Sequence, residues 1–156
     1  MAERRLKEIN PFVTVESHVK ALSEHNVFRL AASCDVLIDA SNNAEAGSLL
    51  NLVAVRQQIP LVHAWVWEMT GLLTTCWPGR GPCLACASLE TPSISRPALI
   101  GPLPGIMGAL QALAVLRILG GLGPALLGRV LIFKGEQFNF TERIIRVNPH
   151  CPVCSP

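Results

Sequence analysis

Four of the six cysteines fall into two Cys-x-x-Cys hooks, Cys83-Leu84-Ala85-Cys86 and Cys151-Pro152-Val153-Cys154. Two intervening residues place both sulfurs of a hook on one edge of a tetrahedron, and two hooks supply the four soft ligands of a closed structural zinc site. Gly81-Pro82 and Pro149-His150 precede the hooks, where glycine and proline let the backbone fold its amides toward a thiolate cluster. The 64 residues between the hooks exceed the spacing of a compact zinc ribbon, so a metal here would staple distant parts of one larger domain. Two disulfides, or two unrelated turns, stand as the competing reading. Cys34 and Cys76 have no such spacing, and Cys34, just before an apolar run, is expected to be a core thiol rather than a nucleophile.

A second group of polar residues lies in the loop Asp39-Ala40-Ser41-Asn42-Asn43. It follows the apolar run Asp35 to Asp39, which reads as a parallel strand covered on both faces. Ala44 to Gln57 then has the length and apolar spacing of a helix, and Ile59 to Ala64 reads as the next strand. Strand, loop, helix and strand make a βαβ unit, and ligands of open α/β sheets bind beyond the carboxyl ends of their strands. His63, in the second of these strands, is expected to be packed. So are Trp65, Trp67 and Trp77 around the strand Gly71 to Cys76, since aromatics are common core and interface material.

The flanking segments complete the frame. Leu6 and Ile9 fit an amphipathic helix that stops at Asn10-Pro11 and reads as the last turns of something longer, cut at Met1. Phe12 to Glu16 alternates and is expected as a strand, and Ser23 to Leu30 as a short helix capped by Ser23. Gly105 to Leu113 reads as a buried helix whose small residues let another helix approach, ended by Gly120-Gly121 and Gly123-Pro124. Three short strands follow, Gly128 to Phe133, Gln137 to Phe140 and Glu142 to Val147, antiparallel by their tight connections.

Composition narrows the function classes. The chain of 156 residues is 50% hydrophobic and 15% charged, so it can bury a single core, and some apolar surface is expected to meet a partner. A net charge of +2 with scattered Lys and Arg offers no basic stripe for nucleic acid. Ala98 to Val115 carries no charge and has the length of a membrane helix, but Pro102 and Pro104 break its first third, Gln111 lies inside it and Arg117 follows, so a buried helix is expected instead. The charged start, Met1 to Lys7, is no signal peptide. A cytoplasmic, reducing location is therefore expected, where Cys-x-x-Cys means metal before disulfide.

Taken together, these residues resemble the ThiF/MoeB/HesA group of ubiquitin-activating-type adenylyltransferases. The segments that carry the resemblance are Arg5 to Pro11, Asp35 to Asp39, Asn51, Gly81-Pro82-Cys83 with Cys86, Gly108 to Leu113, Gly128 to Phe133 and the closing Cys-Pro-x-Cys. The resemblance spans the chain but only the later part of the family's domain. It implies zinc on Cys83, Cys86, Cys151 and Cys154. It also implies ATP and magnesium used to activate the C-terminal Gly-Gly carboxylate of a ubiquitin-like sulfur-carrier protein as an acyl-adenylate. The family's magnesium-handling loop, Asp-x-Thr-Asp-Asn, reads Asp39-Ala40-Ser41-Asn42-Asn43 here, with Asn42 at the metal position. A family arginine aligns with Gly47, and Glu-Gly-Gln reads Thr70-Gly71-Leu72. The loop that bears a transfer cysteine in some members, Pro92 to Pro97, has none, and the Gly-rich phosphate turn would precede Met1.

The sequence is accordingly read as one partial domain, residues 1–156, without the nucleotide-binding half. Its expected architecture is a partial Rossmann-like parallel sheet with flanking helices, then an antiparallel segment and a four-cysteine zinc site. Asp39, Asn42 and Asn43 are the candidate nucleotide-site residues. The expected function is that of the later half of a carrier-activating adenylyltransferase, inactive as this chain alone. The alternative is a zinc-stapled, non-catalytic module for self-association, as a homodimer, or for carrier docking.

Overall fold

The computed structural model describes residues 2–88 and 99–155. Its centre is a five-stranded sheet ordered β1-β2-β3-β4-β5: β1 (Leu37–Asp39), β2 (Leu61–Trp67), β3 (Thr70–Cys76), β4 (Arg129–Lys134) and β5 (Asn139–Ile144). β1 and β2 pair in parallel, with Asp39 opposite His63, and every later pairing is antiparallel. The parallel start and antiparallel finish expected of the sheet are both present. The reversal comes at the Glu68-Met69 turn, where β2 hands directly to β3 and Glu68 takes a left-handed backbone (φ 49°).

Alternation along β2 divides the core. Val62, Ala64 and Val66 point to one face, where α5 (Pro102–Leu119) lays Leu103, Met107 and Ala114 against them. Leu61 points to the other face, packed on Val53 and Ala54 of α3 (Ala44–Gln57) and on Val27 and Ala31 of α2 (Val27–Ala31). Trp65 shares that side of the strand with a third cluster of Leu72, Val130 and Ile145. Coverage from both sides explains why β2 is a continuous apolar run rather than an alternating one.

Several expectations are corrected. Phe12 to Glu16 is not a strand: among the described residues no strand pairs with it, and Phe12 is 96% exposed. Its alternation has no buried face to serve. Ser23 does not cap α2; Asn26 precedes that helix and ties the turn, its Oδ1 accepting from Ser23 N–H and its Nδ2 donating to the Ala21 carbonyl. β1 is shorter than Asp35 to Asp39 and is covered on one face only. Ile38 is half exposed because α5 packs on β2 and β3, leaving the edge strand bare.

The helix α5 is longer than Gly105 to Leu113 and is not buried all round. Pro102 and Pro104 fall in its first turn, where a missing N–H costs nothing, so they start the helix instead of breaking it. A Cβ at Gly105 or Gly108 would meet no atom within 4 Å, so no helix approaches there among the described residues. By length and composition α5 could cross a membrane, but one face of it is spent on the sheet. The final two expected strands are one: β5 runs from Asn139 to Ile144 through the expected break at Thr141, pairing with β4 along its whole length.

The remaining expectations fare better. α1 (Ala2–Ile9) ends before Asn10-Pro11, and α3 has the expected bounds. Trp65 and Trp67 pack in the core, whereas Trp77 carries Arg80, whose guanidinium carbon lies 4.6 Å from the ring centroid. Cys34 is half-buried with its Sγ facing the Leu30 carbonyl, and Cys76 is buried, which pushes its thiol up to about 12. The loop Pro92 to Pro97 lies outside the described residues.

Candidate functional site

The two hooks meet. The Cys83, Cys86, Cys151 and Cys154 sulfurs all lie within 4.8 Å of one another. Individual separations are 3.9 Å for Cys83 to Cys86, 3.6 Å for Cys83 to Cys151 and 3.4 Å for Cys86 to Cys154. A tetrahedron with zinc–sulfur arms of about 2.3 Å has edges of about 3.8 Å, so the donor set has the size that ion needs. Disulfide sulfurs would sit at about 2.05 Å, and all six cysteines are free thiols.

The surrounding backbone is shaped for the cluster. The first hook opens a single turn, α4 (Leu84–Ala87), and buried Asn51 of α3 pins it: Asn51 Oδ1 accepts from Leu84 N–H at 2.8 Å and Nδ2 points to Cys83 Sγ at 3.7 Å. Asn148 N–H points to Cys86 Sγ at 3.5 Å. Burial pushes the Cys83 thiol up. At Cys151 burial also opposes ionisation, but N–H groups of Cys154 and Val153 and the neighbouring sulfurs outweigh it and bring the thiol down to about 6. Burial and the crowding of the other three sulfurs push Cys154 up. Four sulfurs converging on one point are a donor set that a cation would complete.

The strand-end loop has its own geometry. Asp39 is 1% exposed, and its Oδ2 lies 2.8 Å from Nδ1 of the equally buried His63. Its Oδ1 accepts from Ser41 N–H at 3.0 Å and from Ser41 Oγ at 2.6 Å. Burial alone would raise this carboxyl, but the bonds from His63 and Ser41 prevail and hold it below the usual carboxylate range. Gln111 of α5 donates to the Asp39 carbonyl at 2.8 Å, fastening the end of β1 to the helix across the sheet.

Asn42 and Asn43 are also engaged. Asn42 sits in the left-handed region (φ 51°), and its Oδ1 accepts from Val66 N–H at 2.9 Å. Asn43 caps α3, accepting from Ala46 N–H at 2.9 Å. Asp39, Asn42 and Asn43 are therefore brought together in one loop, and each has a side-chain oxygen committed to a partner within the chain. The hooks lie on the same side of the sheet, and a cleft of about 240 Å³ between the loop and the first hook is lined by Gly47, His63, Trp65 and Ala85 among others.

Sequence reasoning missed the roles of His63, Gly47 and Gln111. A Cβ at Gly47 would come within 2.9 Å of Asp39 Oδ2 and 3.5 Å of His63 Cε1, so glycine is what lets the pair form. Asp39 and His63 are 24 positions apart; the only signal was a polar residue at the same depth in each of two adjacent parallel strands.

The ThiF family profile matches residues 1–153. The chain is 36% identical over 155 residues to the SAMP-activating enzyme E1 of Haloferax volcanii, covering 96% of this chain and 57% of that protein. It is 31% identical to the sulfur carrier protein adenylyltransferase of Thermus thermophilus, covering 99% and 61%, and 34% identical to the HesA protein of Leptolyngbya boryana, covering 98% and 56%. The chain thus spans a little over half the length of these relatives. Among solved structures, E. coli MccB superposes with a TM-score of 0.84 at 17% identity over 99% of this chain and 50% of that one, a likeness of fold.

Proposed function

Because this chain belongs to the ThiF family, we propose that it is the zinc-stapled later part of an adenylyltransferase for ubiquitin-like sulfur carriers, and that these residues by themselves dock the carrier but do not turn over ATP. Relatives named for activating such carriers support the substrate class. Adenylation joins a carboxylate oxygen to the α-phosphorus of ATP and releases pyrophosphate, which needs magnesium and cationic groups against the phosphates. The observation that carries the reading is the loop: Asp39 is spent on His63 and Ser41, and neutral Asn42 is spent on Val66. Gly47 supplies no cation where the family resemblance implies arginine.

Zinc would be held by all four hook cysteines, leaving no open position, which is the arrangement of a structural rather than a catalytic ion. The free thiols of all six cysteines suit a cytoplasmic home. A Gly-Gly carrier tail is the expected partner. Carrier-dependent exchange of pyrophosphate into ATP should stay at background while a sulfur-carrier protein still binds in a pull-down with purified components. Robust exchange would overturn the reading. The module reading, self-association, draws support from the outer face of α5, where Leu113, Leu116 and Leu119 are exposed.

A further inference from the structure

The strand β5 ends the sheet, with β4 on its inner side and, among the described residues, no strand on its outer side. Every residue from Asn139 to Ile144 is exposed. Edges of this kind are ordinarily blunted by proline, lysine or a bulge, and β5 has none of these. Phe140 is 50% exposed and Ile144 74%, and both stand on one face of the strand.

Backbone alternation fixes which groups of β5 are free. The Ile145 amide donates to the Gly128 carbonyl at 2.8 Å, and the register with β4 carries this pattern down the strand. Asn139, Thr141 and Arg143 therefore turn their N–H and C=O groups toward β4. Phe140, Glu142 and Ile144 turn theirs outward.

The pattern of these outward residues selects the partner. A second copy, antiparallel about a twofold axis, presents the same edge to itself. Overlap of the whole of β5 with itself would set outward groups against inward ones, so the axis must pass through a residue. Two positions keep the overlap nearly complete, Glu142 and Thr141. An axis at Glu142 sets two carboxylates directly opposite one another, which is destabilising. An axis at Thr141 opposes no like charges: Thr141 meets Thr141, Phe140 meets Glu142 and Asn139 meets Arg143. Phe140 and Glu142 then exchange backbone hydrogen bonds across the axis, and the Phe140 ring comes diagonal to Ile144 of the partner subunit, within aromatic reach. Glu142 remains bonded to Arg129 of its own chain, 2.8 Å away.

We propose that two copies of this chain pair β5 to β5 about a twofold axis at Thr141, joining their sheets into one. The interface is separate from the outer face of α5, and it depends on neither carrier docking nor ATP chemistry.

The test is sedimentation velocity on the zinc-loaded full chain carrying Leu116→Lys and Leu119→Lys, which removes the α5 face from the measurement. This protein should be a dimer. Thr141 is exposed, so its substitution leaves the core untouched. Thr141→Lys and Thr141→Asp should each raise the dissociation constant by about tenfold or more, because each charge meets its own copy on the axis. Mixing the two variants should restore the dimer as a one-to-one pair. With oxidised glutathione as oxidant, Thr141→Cys should cross-link to itself, whereas Asn139→Cys should cross-link only to Arg143→Cys. A monomeric starting protein, a dimer indifferent to Thr141→Lys, no recovery on mixing, or self-cross-linking of Asn139→Cys would each overturn the proposal. So would a chain that stays monomeric until a purified sulfur-carrier protein is added, which would give the edge to that partner.

Discussion

Asp39 Oδ2 and His63 Nδ1 lie 2.8 Å apart at the ends of two neighbouring parallel strands, with almost no exposure of either side chain. A buried pair is costly to half-remove, because the survivor keeps its desolvation without its partner. His63→Ala should therefore destabilise the fold by about 3–5 kcal/mol, read from urea unfolding. A loss under about 1 kcal/mol, the scale of an exposed pair, would show that water reaches Asp39.

The same carboxylate sets a dependence on pH. Its folded pKa lies below its unfolded one, so its stabilising contribution is complete above the ordinary carboxylate value of about 3.9 and is lost as pH falls through the folded value. Asp39→Asn should lower stability at neutral pH and flatten the acid limb of a stability–pH curve. An acid limb as steep as in the unmodified chain would assign acid unfolding to other groups.

Gly47→Ala tests the space beside the pair. Alanine gains about 1 kcal/mol of helix propensity over glycine, but its Cβ would stand 2.9 Å from Asp39 Oδ2, and overpacking of this kind costs about 1–3 kcal/mol. The net change should be destabilising and should shrink in a His63→Ala background, where the carboxylate can move. A rise in melting temperature would mean the loop yields easily.

Metal content is a direct check on the hooks. Purified protein should carry about one zinc per chain, and a strong chelator or Cys151→Ser should lower the melting temperature sharply, as for structural four-thiolate sites. Elemental analysis without zinc would remove the ion from the description.

The outer face of α5 predicts association. Leu116 is 65% exposed, and a Leu116→Lys, Leu119→Lys double variant should shift light scattering toward monomer and raise solubility. A monodisperse monomer in the unmodified chain would leave that face without a role in self-association.

What could be read from the sequence follows from range. The Cys-x-x-Cys spacing and the α3 period are local signals, and each led to the right element or cluster, whereas the apolar run Asp35 to Asp39 marked β1 but not its half-exposed Ile38, because cover on the second face depends on where α5 packs. Phe12 to Glu16 misled because strand-like alternation says nothing about whether a neighbour exists. Pro102 and Pro104 read as interruptions in the sequence because their place in the first turn depends on where α5 begins. The Asp39–His63 pair needed the register of β1 on β2, and the commitment of Asn42 to Val66 needed the path of the loop. Both are contacts across 24 positions, beyond any periodic pattern.

The cysteine hooks also bear on the order of folding. Their sulfurs come together across 68 positions, whereas β2 and β3 meet through a two-residue turn. Contacts so distant in sequence carry the larger closure entropy and tend to form after local ones. A clasp that closes late adds little to the transition state, so its energy should appear in the escape from the native state rather than in the approach to it. Zinc would then act as a brake on unfolding, lengthening the lifetime of the sheet while leaving its rate of assembly nearly unchanged.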